Sequence, residues 1–180
     1  MKKILIPLFT VLALIVVFPL SAQDREYPVI KDFGGIYDIK DADVKPDPEL
    51  MYNIVIDLGS TSNEKKYADY YLERVARMMN LHVIGGVNPS NLNVVVVLHA
   101  NAVNTLLNHQ SYNQKFGSNN PNIELLERLH EAGAEIVVCG QSLIGRNIRE
   151  SEIYPEVKIA TSMLTAVTTL QLKGYALLQF

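Results

Sequence analysis

Four valines stand in a row at Val94–Val97, followed by Leu98. A strand with one wet face alternates polar and apolar residues, whereas this run has no side to offer water. Branched side chains favour extended backbone, so the run reads as a strand of a parallel sheet covered on both faces. Parallel neighbours must be reached by crossover connections, usually helical. The rest of the chain supplies both parts. "MYNIVIDLG" (51–59), "AEIVVC" (134–139), "EVKIA" (156–160) and "YALLQF" (175–180) read as further strands besides "NVVVVLHA" (93–100).

Between them lie helical signals. Thr61-x-x-Glu64 offers a capping box, and Ala68, Leu72, Val75, Ala76 and Met79 share one face of the following helix. A short helical segment carries Val103, Leu106 and Leu107, and the polar stretch 109–119 reads as a loop. Asn120-Pro121 starts a helix with Ile123, Leu126 and Leu129 inward, which Gly133 ends. A short helix is expected over Ser142–Ile148. Ser162 caps another, with Leu164, Val167 and Leu170 inward and Gly174 at its close. Alternation of this kind predicts an α/β fold, a mostly parallel sheet with helices on both faces. Ligands then collect at the carboxyl ends of the strands, an edge that carries Asp57, Gly59, His99, Cys139 and Ala160.

The first residues are of another kind. A basic MKK, an apolar run and Ser21-Ala22-Gln23 form a signal peptide over 1–22, with cleavage near Gln23 or Asp24. The competing reading is a membrane anchor, but Pro7 and Pro19 interrupt the run. The expected product is periplasmic or secreted, with no stable membrane insertion after cleavage. Residues 23–50 are acidic and rich in Pro and Gly, an irregular arm that Val29, Ile30, Phe33, Ile36 and Tyr37 can dock. Residues 51–180 form one domain, large enough to bury a core without disulfides. The net charge of -3 and the lack of any basic stripe argue against nucleic acid as a partner.

Only one cysteine is present, Cys139, so no intramolecular disulfide can form. It ends a strand, with Gly140 behind it and a helix expected near Ser142. Amides of Gly140, Gln141 and Ser142, with Arg146 downstream, would favour a nucleophilic thiolate there. Equally, a cysteine at a strand end is a small buried hydrophobe. His99 ends the valine strand at the same edge and can pair with Cys139, or be satisfied by backbone. Gly59, Ser60 and Thr61 can hold an anion where a helix opens, or simply cap it. No metal-ligand spacing, dinucleotide or P-loop fingerprint, hydrolase elbow or zincin pair is present.

Three stretches together resemble the DsrE/DsrF-like family, which includes YchN-type proteins: "NVVVVLHANAVNTLL", "IELLERLHEAGAEIVVCGQSL" and "IYPEVKIATSMLTAVTTLQLKGYALLQF". The resemblance spans about residues 51–180 and rests most on Val-Cys-Gly and the final Leu-Gln-x-x-Gly-Tyr. It implies a three-layer α/β/α fold with a five-stranded sheet, assembled as trimers or hexamers. It also implies that Cys139 carries sulfur as a persulfide, taken from a donor protein and passed to an acceptor, without a cofactor. Two features depart from the family: the relay members work in the cytoplasm, and "LHANAV" stands where His-Gly is expected. The leading expectation is an exported sulfur or thiol-exchange protein acting through Cys139 with His99. Its rival is a non-enzymatic oligomeric module that holds a small anion at the same edge, with Cys139 structural.

Overall fold

The structure, a computed structural model, describes residues 23–62 and 65–180; the expected leader at 1–22, with Asn63 and Glu64, lies outside the described residues. Five strands form one sheet: β1 (Tyr52–Leu58), β2 (Leu92–Leu98), β3 (Glu135–Cys139), β4 (Lys158–Ala160) and β5 (Ala176–Gln179). Their order is β4-β3-β2-β1-β5, and every pairing is parallel. The valine run is the central strand, and Val94 through Leu98 are all buried.

The helices are α1 (Tyr70–Ile84), α2 (His109–Phe116), α3 (Ile123–Glu131), α4 (Gly140–Gly145) and α5 (Met163–Leu172). From β1 to β4 the chain always steps in the same direction across the sheet. Right-handed crossovers then leave every intervening helix on one face. Only the last connection returns, carrying the chain from β4 back past β1 to β5, so α5 alone crosses the other face. The two cores follow this division. Ile54, Ile56, Val96 and Val138 pack with α1, α3 and Leu143 of α4, whereas Val55, Val95, Val97 and Val137 pack with Val167. Helices thus cover both faces, very unequally.

Several local expectations are corrected. Residues 109–116 are helical, not a loop. Asn108 caps α2 by accepting from the Ser111 amide at 2.8 Å, and Gly117 closes it at φ 79°. A polar helix carries little apolar periodicity; Tyr112, buried against Phe116, is its anchor. The first helix starts later than expected, at Tyr70, capped by Asp69 accepting from the Tyr71 and Leu72 amides at 2.9 and 3.3 Å. Asn122 rather than Asn120 precedes α3. Asn120 instead reaches across a buried gap, donating to the Thr105 and Leu107 carbonyls. In α5 only Val167 is buried, and Leu164, expected inward, is 68% exposed.

The arm lies along α1 through one buried side chain. Asn80 Oδ1 accepts from the amides of Val29 and Ile30 at 3.0 and 2.8 Å, and Nδ2 donates to the Phe33 and Gly34 carbonyls at 3.0 and 3.2 Å. Ile30 and Ile36 are buried beside it. Gly34 is needed there, since a Cβ would stand 2.3 Å from the Arg77 nitrogen and the backbone has φ +60°.

Candidate functional site

On each strand the residues two apart share a face. Asp57 follows Val55, His99 follows Val97 and Cys139 follows Val137, so all three continue the face that, among the described residues, only α5 covers. Gln179 pairs in register with Asp57. The carboxyl edge of this thinly covered face therefore bears a row of polar groups running from β3 to β5.

Cys139 ends β3 and immediately precedes α4, which starts at Gly140 rather than Ser142. Its side chain occupies the position from which a serine or aspartate would cap the helix. The thiol makes no formal capping hydrogen bond, yet the nearby donors favour its anion. Burial pushes the Cys139 thiol up. The Ser142 hydroxyl and the amides of Met163, Ser142 and Gln141 together outweigh burial, so the group titrates below its ordinary value. Two helix starts thus converge on one sulfur, in a residue that is 4% exposed.

Ser142 also joins the sulfur to the neighbouring strand. Its Oγ accepts from the Ala100 amide at 3.1 Å, leaving its proton for the thiolate. Ala100 takes φ 45°, in the left-handed region, as the chain leaves β2 for a 3-10 helix over Ala100–Leu106.

The expected pairing of His99 with Cys139 is replaced by another. His99 Nε2 lies 2.7 Å from Asp57 Oδ1, on the β1 side and away from β3. The two groups face each other closely but are not aligned as a hydrogen bond, for this buried Oδ1 has no hydrogen-bond partner. Asp57 Oδ2 accepts from Gln179 Nε2 at 3.0 Å. Gly59 contributes space: a Cβ there would stand 2.7 Å from His99 Cε1 and Nε2.

The remaining expected site residues are spread more widely. Gly140 sits against β4, where a Cβ would meet the Ala160 carbonyl at 2.9 Å. The Gln141 side chain reaches toward the Thr161 carbonyl at 3.4 Å. Arg146 donates to Asn101 Oδ1 at 3.3 Å, and hydrogen-bond donors take the part expected of its charge at the thiol. Ser60 and Thr61 lie in a loop that opens no helix, since α1 starts at Tyr70. Ser62 serves there by binding Asp69 Oδ2 through its amide at 2.6 Å and its hydroxyl at 3.0 Å. Sequence reasoning gave no role to Asp57, Gln179 or Met163. An acid inside the otherwise apolar "IVIDL" was the available signal for the first; the other two depend on long-range pairing.

A parallel sheet with a buried cysteine and a histidine–carboxylate pair along one carboxyl edge defines a thiol-bearing α/β protein. The chain belongs to the DsrE/DsrF-like family, whose profile matches residues 52–180. Membership gives it a fold related to sulfur relay. Two solved structures share that fold. One is a protein of unknown function, MTH1491, from Methanobacterium thermoautotrophicum, at 15% identity and a TM-score of 0.56, covering 72% of this chain and 99% of that one. The other is the ychN protein from E. coli, at 24% identity and a TM-score of 0.53, covering 72% of this chain and 100% of that one. No curated protein matches the chain.

Proposed function

We propose that the protein is an exported sulfur carrier, in which Cys139 accepts sulfane sulfur from a donor protein and passes it to an acceptor as a persulfide. The observation that carries this reading is the Cys139 sulfur itself, held at a strand end with its thiol lowered by the Ser142 hydroxyl and three amides despite burial. A sulfur acceptor must be a thiolate to attack, so donors that stabilise the anion supply what the chemistry requires. The basic and apolar residues 1–22 would direct the chain to the periplasm or outside, and the mature form would start near Gln23 or Asp24. No cofactor is needed for this exchange.

Assembly belongs to the same reading. Leu164 and Leu172 on α5 are 68% and 91% exposed, and Leu177 on the edge strand β5, which pairs with Val55 and so shares the α5 face, is exposed as well. Apolar groups concentrated on one side of a domain mark a contact surface. The partner fitting it is a second copy of this chain, in a trimer or hexamer.

The test is alkylation of Cys139 as a function of pH. The carrier reading expects native-state reaction with a midpoint below the ordinary thiol value of about 8.5. It also expects one additional sulfur on Cys139 in protein taken from its native compartment. The 4% exposure of Cys139 favours a second reading, the oligomeric module with a structural cysteine and a small anion at this edge. A thiol that reacts only after unfolding selects that one.

A further inference from the structure

The Asp57–His99–Gln179 cluster takes no part in lowering the thiol, yet it is built with care. A buried carboxylate oxygen without a hydrogen-bond partner is costly unless another polar group faces it. The group facing Asp57 Oδ1 is the His99 imidazole, 2.7 Å away. Gln179 fixes the other carboxylate oxygen, and the missing side chain of Gly59 makes the seat for the ring. His99 is 21% exposed at its side chain, against 10% for Asp57, so the ring and not the acid meets incoming molecules.

The ring sits above the end of β1, and Cys139 ends β3, with β2 between. Two strand spacings separate them, about 9 to 10 Å. That gap is too long for a direct thiolate–imidazolium pair. It suits a donor lying in line between them, its sulfane sulfur near Cys139 and its leaving sulfur near His99.

We propose that His99, seated over Gly59 and held by Asp57 with Gln179 behind it, is the acid that receives the thiolate expelled when Cys139 takes sulfur from an alkyl persulfide. The proposal rests on the carrier reading given above. The Cys139 thiolate attacks the outer sulfur of R–S–SH, forming the Cys139 S–S bond as the donor S–S bond breaks. The electron pair of that bond leaves with R–S⁻, which takes the proton from the imidazolium to become R–SH. The sulfane sulfur is passed on without net oxidation or reduction, and His99 regains its proton from solvent through its exposed edge. Asp57 and Gln179 are positioning residues, because they act through the ring.

General-acid help matters most for a basic leaving group and least for an acidic one. The experiment compares two probes on the full mature chain: a dialkyl disulfide, which expels a basic thiolate, and a nitroaryl disulfide, which expels an acidic one. The rate ratio, alkyl over aryl, is expected to fall at least tenfold in His99→Gln and in Asp57→Asn relative to the unmodified protein. Gln179→Ala, altering a side chain at the exposed sheet edge, should lower the ratio by a smaller factor and guards against misfolding of the buried variant. An unchanged ratio in His99→Gln, whether both rates hold or both fall together, overturns the assignment of His99 as the acid while leaving Cys139 as the carrier. Unmodified protein inert toward both probes would instead overturn the carrier reading, and this proposal with it.

Discussion

The two faces of the sheet are made from the same five strands, yet they are built for different ends. On one face Ile54, Ile56, Leu58, Val96 and Val138 are sealed beneath α1, α3, the 3-10 helix after β2 and the N-terminal arm. On the other, Val55, Val95, Val97 and Val137 lie, among the described residues, under α5 alone, whose outer side shows Leu164 and Leu172 to solvent. The cause is topological. Three connections step one way across the sheet and one returns, so handedness deals the helices out unevenly. The sealed face carries the bulk of the apolar burial and so the stability; the thin face carries Cys139, His99, Asp57 and Gln179 where packing leaves room for chemistry.

That division can be broken by substitution. The largest effect belongs to Cys139→Ser, which should abolish uptake of sulfane sulfur, read by mass, while shifting the thermal midpoint by only a few degrees. Loss of folding in this variant would mean that the thiol serves the core. Next comes Leu172→Glu, placing a charge on the exposed side of α5. It should convert an oligomer to monomer in light scattering, with a change in the monomer's own stability of under about 0.5 kcal/mol. An assembly that survives it shows that the thin face is not the contact surface.

The sealed face should answer in the opposite way. Leu126 is fully buried. Leu126→Ala should cost about 3 kcal/mol in urea unfolding, through lost burial and the cavity left behind, with alkylation of Cys139 unaffected in the folded protein. Val167→Ala on the thin face should cost less, since α5 packs on fewer layers. If the two costs are equal or reversed, stability is shared between the faces and the comparison fails.

How far this was legible in the sequence follows the range of the interactions. Val94–Val97 announced a parallel strand covered on both faces, because an unbroken branched run suits little else; its central place came only with the strand order. Cys139 and His99 could be placed at one edge because each ends an apolar run before a turn. The direction of the His99 ring could not be read, for it depends on Asp57 and on the room at Gly59, both on a neighbouring strand. Gln179 was further out of reach, lying 122 residues from the carboxylate it holds. The arm's docking spots were visible as apolar residues, but Asn80, which holds the arm through backbone contacts, looks like any polar residue on a helix. Local chemistry was readable; which face it served was settled by strand order and crossover hand.

The smallest effect lies where the chain passes from the thin face to the sealed one. His99 belongs to the first, and Ala102 and Val103, in the 3-10 helix, pack into the second. Ala100 makes the turn at φ 45°, a conformation that costs an L-residue about 1 to 2 kcal/mol. Glycine would remove that strain and lose roughly 0.5 to 1 kcal/mol to its freer unfolded chain. Ala100→Gly should therefore stabilise the fold by about 0 to 1.5 kcal/mol, a rise in thermal midpoint of up to about 6 °C. A fall would show that the turn holds no strain to release. The strained turn also aims the Ala100 amide at Ser142 Oγ, which in turn faces the thiol. If alanine's limited freedom is what holds that amide in place, the glycine variant should need higher pH to alkylate Cys139. An alkylation curve that stays where it was, in a protein that has gained stability, would separate the turn's role in joining the two faces from any role in tuning the sulfur.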